Sequence, residues 1–107
     1  MLFRSDSLNG QGGDDILIGG DLSASYTYAS LRSLADSWAA STAGSPSPGV
    51  VSAFNALLAA TTDPLNANEY DILTGGVGKD AFLYRGGTGG DSVTDYNALE
   101  GDLKFTL

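Results

Sequence analysis

GGVGKDAFL, residues 75–83, is the stretch on which the fold turns. Glycine holds its first, second and fourth positions, aspartate its sixth, and a large apolar residue, Phe82, its eighth. GGTGGDSVT, residues 86–94, repeats the pattern after a spacer of Tyr84 and Arg85. GQGGDDILI, residues 10–18, repeats it with Gln11 in place of the second glycine. Just before it, Asp6-Ser7-Leu8-Asn9 has the phase of the end of a further unit, as if the chain began inside a longer array. A period held this closely marks stacked units, because one unit alone has too little apolar surface to bury.

Composition bounds what such an array can do. At 107 residues the chain holds one small domain. Thirteen acidic residues, eleven of them aspartate, stand against five basic ones, for a formal charge of -8. That balance argues against nucleic acid or an anionic membrane surface as partner, since both need basic patches. There is no cysteine and no histidine, which removes disulfides, Ser-His-Asp and Cys-His triads and histidine-ligated metal sites. No apolar run is long enough to span a bilayer, and MLFRSDS lacks the apolar core of a cleavable signal. With 42% hydrophobic residues beside its fifteen glycines, the chain is not simple low-complexity disorder.

The motif G-G-x-G-x-D-x-U-x, with U large and apolar, resembles the calcium-binding nonapeptide of the RTX (hemolysin-type) family, over roughly residues 5–21 and 69–107. The chemistry agrees. Glycine permits positive φ and lets neighbouring turns approach closely. Backbone bent in this way turns carbonyl oxygens toward one point, where the sixth-position aspartate adds a carboxylate. Such an all-oxygen cage suits Ca²⁺, which takes about six to eight ligands in flexible geometry.

The resemblance implies a mainly β fold: a parallel β-roll (two-sheet solenoid) with an inserted α-helical hairpin. Two nonapeptides would make one turn, each x-U-x triplet a short strand, with Leu8, Leu17, Leu73, Phe82 and Val93 facing inward. All of 1–107 would be one domain, with the roll formed by 1–21 and 69–107 and the hairpin by 22–68. Gly19-Gly20-Asp21 opens a unit and Asp71-Ile72-Leu73-Thr74 closes one. Joined through Glu69 and Tyr70, they read as a single nonapeptide split by 47 residues. In the other reading, 66–74 is a complete degenerate unit; both put Asp71 at the sixth position.

Within the insert, Tyr28, Leu31, Leu34, Ala35 and Trp38 follow the spacing of one helical stripe, and Val50, Val51, Phe54, Leu57 and Leu58 follow another. Ser47-Pro48 predicts the start of the second helix, Asp63-Pro64 its end, and STAGSPS the connecting loop. The stripes need a surface to cover. Ile16, Ile18, Ala81 and Leu83 are outward and apolar on one sheet, whereas Ser7, Asn9, Ile72, Thr74, Ser92 and Thr94 on the other are mostly polar. The hairpin is therefore expected on the first sheet, through Leu31, Leu34, Trp38, Phe54 and Leu57. Trp38 reads as core.

By the resemblance, the metal ligands are Asp15, Asp71, Asp80 and Asp91 with the loop glycines Gly10, Gly13, Gly75, Gly76, Gly78, Gly86, Gly87 and Gly89. Loops two units apart would share an ion, pairing Asp15 with Asp80, Asp71 with Asp91, and Asp6 with Asp71. Asp6, Asp95 and Asp102 read either as ligands or as turn and cap residues. Residues 95–102 resemble the closing segment of many RTX arrays, with 103–107 as a last strand. Asp14 and Asp21 stand at variable positions and read as solvated or just beyond the ligands. A phosphate loop is excluded by Leu73 and Asp80, and no EF-hand run occurs.

The function expected is a calcium-binding RTX module of a secreted bacterial protein, exported by type I secretion and folding on Ca²⁺ binding, with no catalytic activity of its own. Its partners would be calcium ions and neighbouring repeats of a larger parent chain. Two alternatives stand beside it: an adhesion or partner-binding module that recognises through its helical insert, and a C-terminal accessory domain of a secreted hydrolase.

Overall fold

The computed structural model describes residues 7–41, 46–62, 71–86 and 90–107. Its elements are β1 (Ser7–Asn9), β2 (Ile16–Ile18), β3 (Asp21–Leu22), α1 (Tyr28–Ala40), α2 (Pro48–Ala59), β4 (Thr61–Thr62), β5 (Ile72–Thr74), β6 (Ala81–Tyr84), β7 (Ser92–Val93) and β8 (Leu103–Thr106). Parallel pairing orders β1–β5–β7 in one sheet and β2–β6–β8 in a second. The register stacks the eighth positions of the units: Leu8 beside Leu73, Leu73 beside Val93, and Leu17 beside Phe82. Those five residues form one apolar layer with Tyr84.

The mainly β, two-sheet parallel β-roll is not what the chain forms. The molecule is a small α/β protein of two three-stranded parallel sheets and two helices; among the described residues only 27% are in strands, and no solenoid or roll is found. The reason lies in where apolar surface goes. The strands are two to four residues long, and the layer they enclose has only Leu17, Leu73 and Phe82 fully buried. A larger cluster sits outside the β2–β6–β8 sheet, where Leu34, Trp38, Val50, Phe54 and Leu57 pack on Ala81 and Leu83, with Ile16, Ile18, Leu31 and Phe105 around them. Burial stabilises in proportion to apolar area removed from water. Helices of 13 and 12 residues therefore contribute a full layer of the fold rather than decorating a sheet solenoid.

The helices form where the stripes place them. Thr27 caps α1, its hydroxyl accepting from the Ser30 N–H, and Ser47 caps α2 in the same way through Val50, with Pro48 in the first turn. The expected stop at Asp63-Pro64 lies outside the described residues; α2 ends at Ala59 and is capped by Ala60, whose N–H turns back to the Ala56 and Leu57 carbonyls. Trp38 meets Phe54 edge to face at 5.3 Å, and Phe54 stacks on Phe105 of β8 at 4.9 Å. Beside the helices, β3 and β4 pair antiparallel and bring the start of the insert to the residues that follow α2.

Candidate metal centre

Glycine lets the loops at 10–15 and 75–80 lie directly on one another. The Val77 N–H donates to the Gln11 carbonyl at 2.9 Å, and the Gly13 N–H to the Val77 carbonyl at 3.0 Å. Gly76 has φ +87°, and a Cβ there would overlap the Gln11 carbonyl oxygen. At Gly78 a Cβ would overlap the Gly13 carbonyl oxygen. No side chain fits at either position.

The sixth-position aspartates then fall into two columns. The Asp15 N–H donates to Asp80 Oδ1 at 3.0 Å, and the Asp80 N–H to Asp102 Oδ1 at 2.8 Å. The Asp71 N–H donates to Asp91 Oδ1 at 2.9 Å, while Asp91 Oδ2 accepts from the Arg85 N–H at 3.0 Å and crowds Gly19. Asp15 is thus brought to Asp80, and Asp71 to Asp91. Asp102 uses both oxygens inside the protein, the second accepting the Asn97 N–H, and so closes the final turn.

The first column is distinctive. Asp80 is fully buried, and the Oδ2 atoms of Asp15 and Asp80 are buried with no hydrogen-bond partner. The Asp15 carboxylate and the Gly75 carbonyl oxygen both crowd the place of a Cβ on Gly10; the Asp80 carboxylate does the same at Gly75. This explains glycine at the first position. Burial, reinforced by the charges of Asp102, Asp15 and Asp95, pushes the Asp80 carboxyl up to about 6, although the Asp15 N–H opposes the shift. Burial and then the charge of Asp14 raise the Asp15 carboxyl as well.

Other positions fall elsewhere. Gly13, at φ +111°, faces open space, and Gly86 packs beside Thr106 and Tyr84 rather than beside a carboxylate. Asp6, Gly87 and Gly89 lie outside the described residues. Asp95 caps the loop at 75–80, its two oxygens accepting the Gly75 and Gly76 N–H groups at 2.8 and 2.7 Å. Glu100 accepts the Gly78 N–H at 3.1 Å, a contact no repeat pattern signals. Lys79 and Asp14, both at variable positions, pair at 3.2 Å, and the Lys79 N–H also donates to Asp14 Oδ1 at 3.0 Å. Those donations hold the Asp14 carboxyl below the usual range.

Among the described residues no three acidic side chains gather closely enough to hold an ion by themselves, so backbone oxygens would have to complete any cage. No helix among them is long and apolar enough to cross a membrane. Comparison with protein-family models, curated proteins and solved structures finds no match to this chain.

Proposed function

We propose that the chain is a calcium-binding module of the RTX type, part of a secreted protein, and that cation binding completes its folding. The observation that supports this reading is the pair of buried, unpartnered Oδ2 atoms on Asp15 and Asp80. Leaving a charged acceptor buried without a donor costs at least about 1–3 kcal/mol. A hard cation offsets that cost. Asp15 and Asp80 would hold the first ion with the carbonyl oxygen of Gly75 close by, and Asp71 and Asp91 would hold a second. When bound, Ca²⁺ supplies positive charge to stacked carboxylates that otherwise repel. The glycines keep the backbone close enough to contribute oxygens, and Lys79 directs its ammonium away from the column, toward Asp14.

Recognition through the helical insert is the weaker reading. The insert's apolar stripe lies against β2–β6–β8, and among its described residues Tyr28 and Val51 are the exposed large apolar ones.

Calorimetric titration with CaCl₂ tests the assignment. Asp15→Asn and Asp80→Asn are expected to weaken binding about tenfold or more, and Asp14→Asn by less than about threefold. Equal losses in all three variants would overturn it.

A further inference from the structure

Lys79 stands between Val77-Gly78 and Asp80 in the repeat, yet its side chain belongs to the hairpin. It is 5% exposed. Its Nζ donates to the Trp38 carbonyl in the last turn of α1, lies 4.2 Å from the centre of the Trp38 ring, and pairs with Asp14 Oδ2 at 3.2 Å. The Trp38 indole N–H returns the contact, donating to the Lys79 carbonyl at 3.1 Å. No basic residue of α1 itself occupies its last turn, where the helix dipole favours a cation. The loop supplies it.

We propose that Lys79 is a latch that makes the closing of the loop at 75–80 and the seating of the helical hairpin a single event. The contact is reciprocal. Opening the loop withdraws a buried ammonium from the α1 terminus and breaks the indole bond, while lifting the hairpin takes the Trp38 carbonyl and ring away from that ammonium. Neither half opens cheaply without the other. Metal control of the hairpin rests on the calcium reading above; the mechanical link does not. By linkage, whatever closes the loop tightens the hairpin, and the hairpin strengthens the loop in turn.

Hydrogen exchange read by mass spectrometry on the full chain, in calcium and in chelator, tests the latch. In the wild type, peptides covering 28–40 and 75–83 should lose protection together. In Lys79→Met with calcium present, 75–83 should stay protected while 28–40 exchanges about tenfold faster, with a red shift of Trp38 emission. Wild-type protection of 28–40 in that variant would overturn the latch. If Lys79→Met does not fold, Asp14→Asn takes its place: 28–40 should exchange about threefold faster, and no change would overturn the proposal. A wild type indifferent to chelator would refute the calcium reading alone, since the comparison of variants still decides the latch.

Discussion

Gln11 and Asp80 carry opposite kinds of strain. Gln11 holds φ +68° at the position where the repeat at 75–83 has Gly76 at φ +87°. A left-handed conformation costs a non-glycine residue roughly 1–2 kcal/mol, and glycine returns about 0.5–1 kcal/mol of that as unfolded-chain entropy. Gln11→Gly should therefore stabilise the protein by about 0.5–1 kcal/mol in urea denaturation, and a destabilised variant would show that the side chain contributes more than its backbone costs. At Asp80 the carboxyl is raised to about 6 from an unfolded value of about 4. Its contribution to stability is then complete below about pH 4 and is lost as pH rises through about 6. In chelator, the urea midpoint of wild type relative to Asp80→Asn should fall between pH 4.5 and pH 7.5; a constant difference would contradict the burial of that carboxyl. The sequence made both positions visible as members of a repeat. Gln11 is the one departure within 10–18, but nothing in the pattern tells that the departure keeps the left-handed backbone. Lys79 was less legible, because a variable position in a nonapeptide carries no information about a helix 41 residues away.

Phe54 shows what holds the elements together. It is fully buried between Trp38 of α1 and Phe105 of β8, so one ring joins both helices to the sheet. Phe54→Ala should cost about 3–5 kcal/mol. That is much of the stability of a domain this small, and calorimetric melting should show a strongly lowered transition or none. A melting point within a few degrees of wild type would mean that the hairpin packs elsewhere. Local patterns announced these elements well. Ser47-Pro48 marks the start of α2, the apolar stripes give both helix faces except at Tyr28 and Val51, which are exposed, and the alternation at Ile16, Ile18, Ala81 and Leu83 picks out the sheet they cover. The fold class was not legible in the same way. A nine-residue period reports how strands and turns alternate, not how much burial each part of the chain supplies. Here the helices supply the larger cluster, which makes the protein α/β.

At the scale of the whole molecule, a net charge of -8 and two columns of stacked aspartates work against compactness, while a thin inter-sheet layer gives the sheets little of their own to resist it. The stacked loops, the buried Oδ2 atoms and the hairpin seated through Lys79 form one connected arrangement. Neutralising the columns should therefore be felt as far as α1 and α2. Far-ultraviolet circular dichroism with CaCl₂ titrated in and then chelated is the most direct test. Helical and strand signal should rise with calcium, saturate, and fall reversibly on chelation. A fully formed spectrum that neither calcium nor chelator changes would contradict calcium-dependent folding.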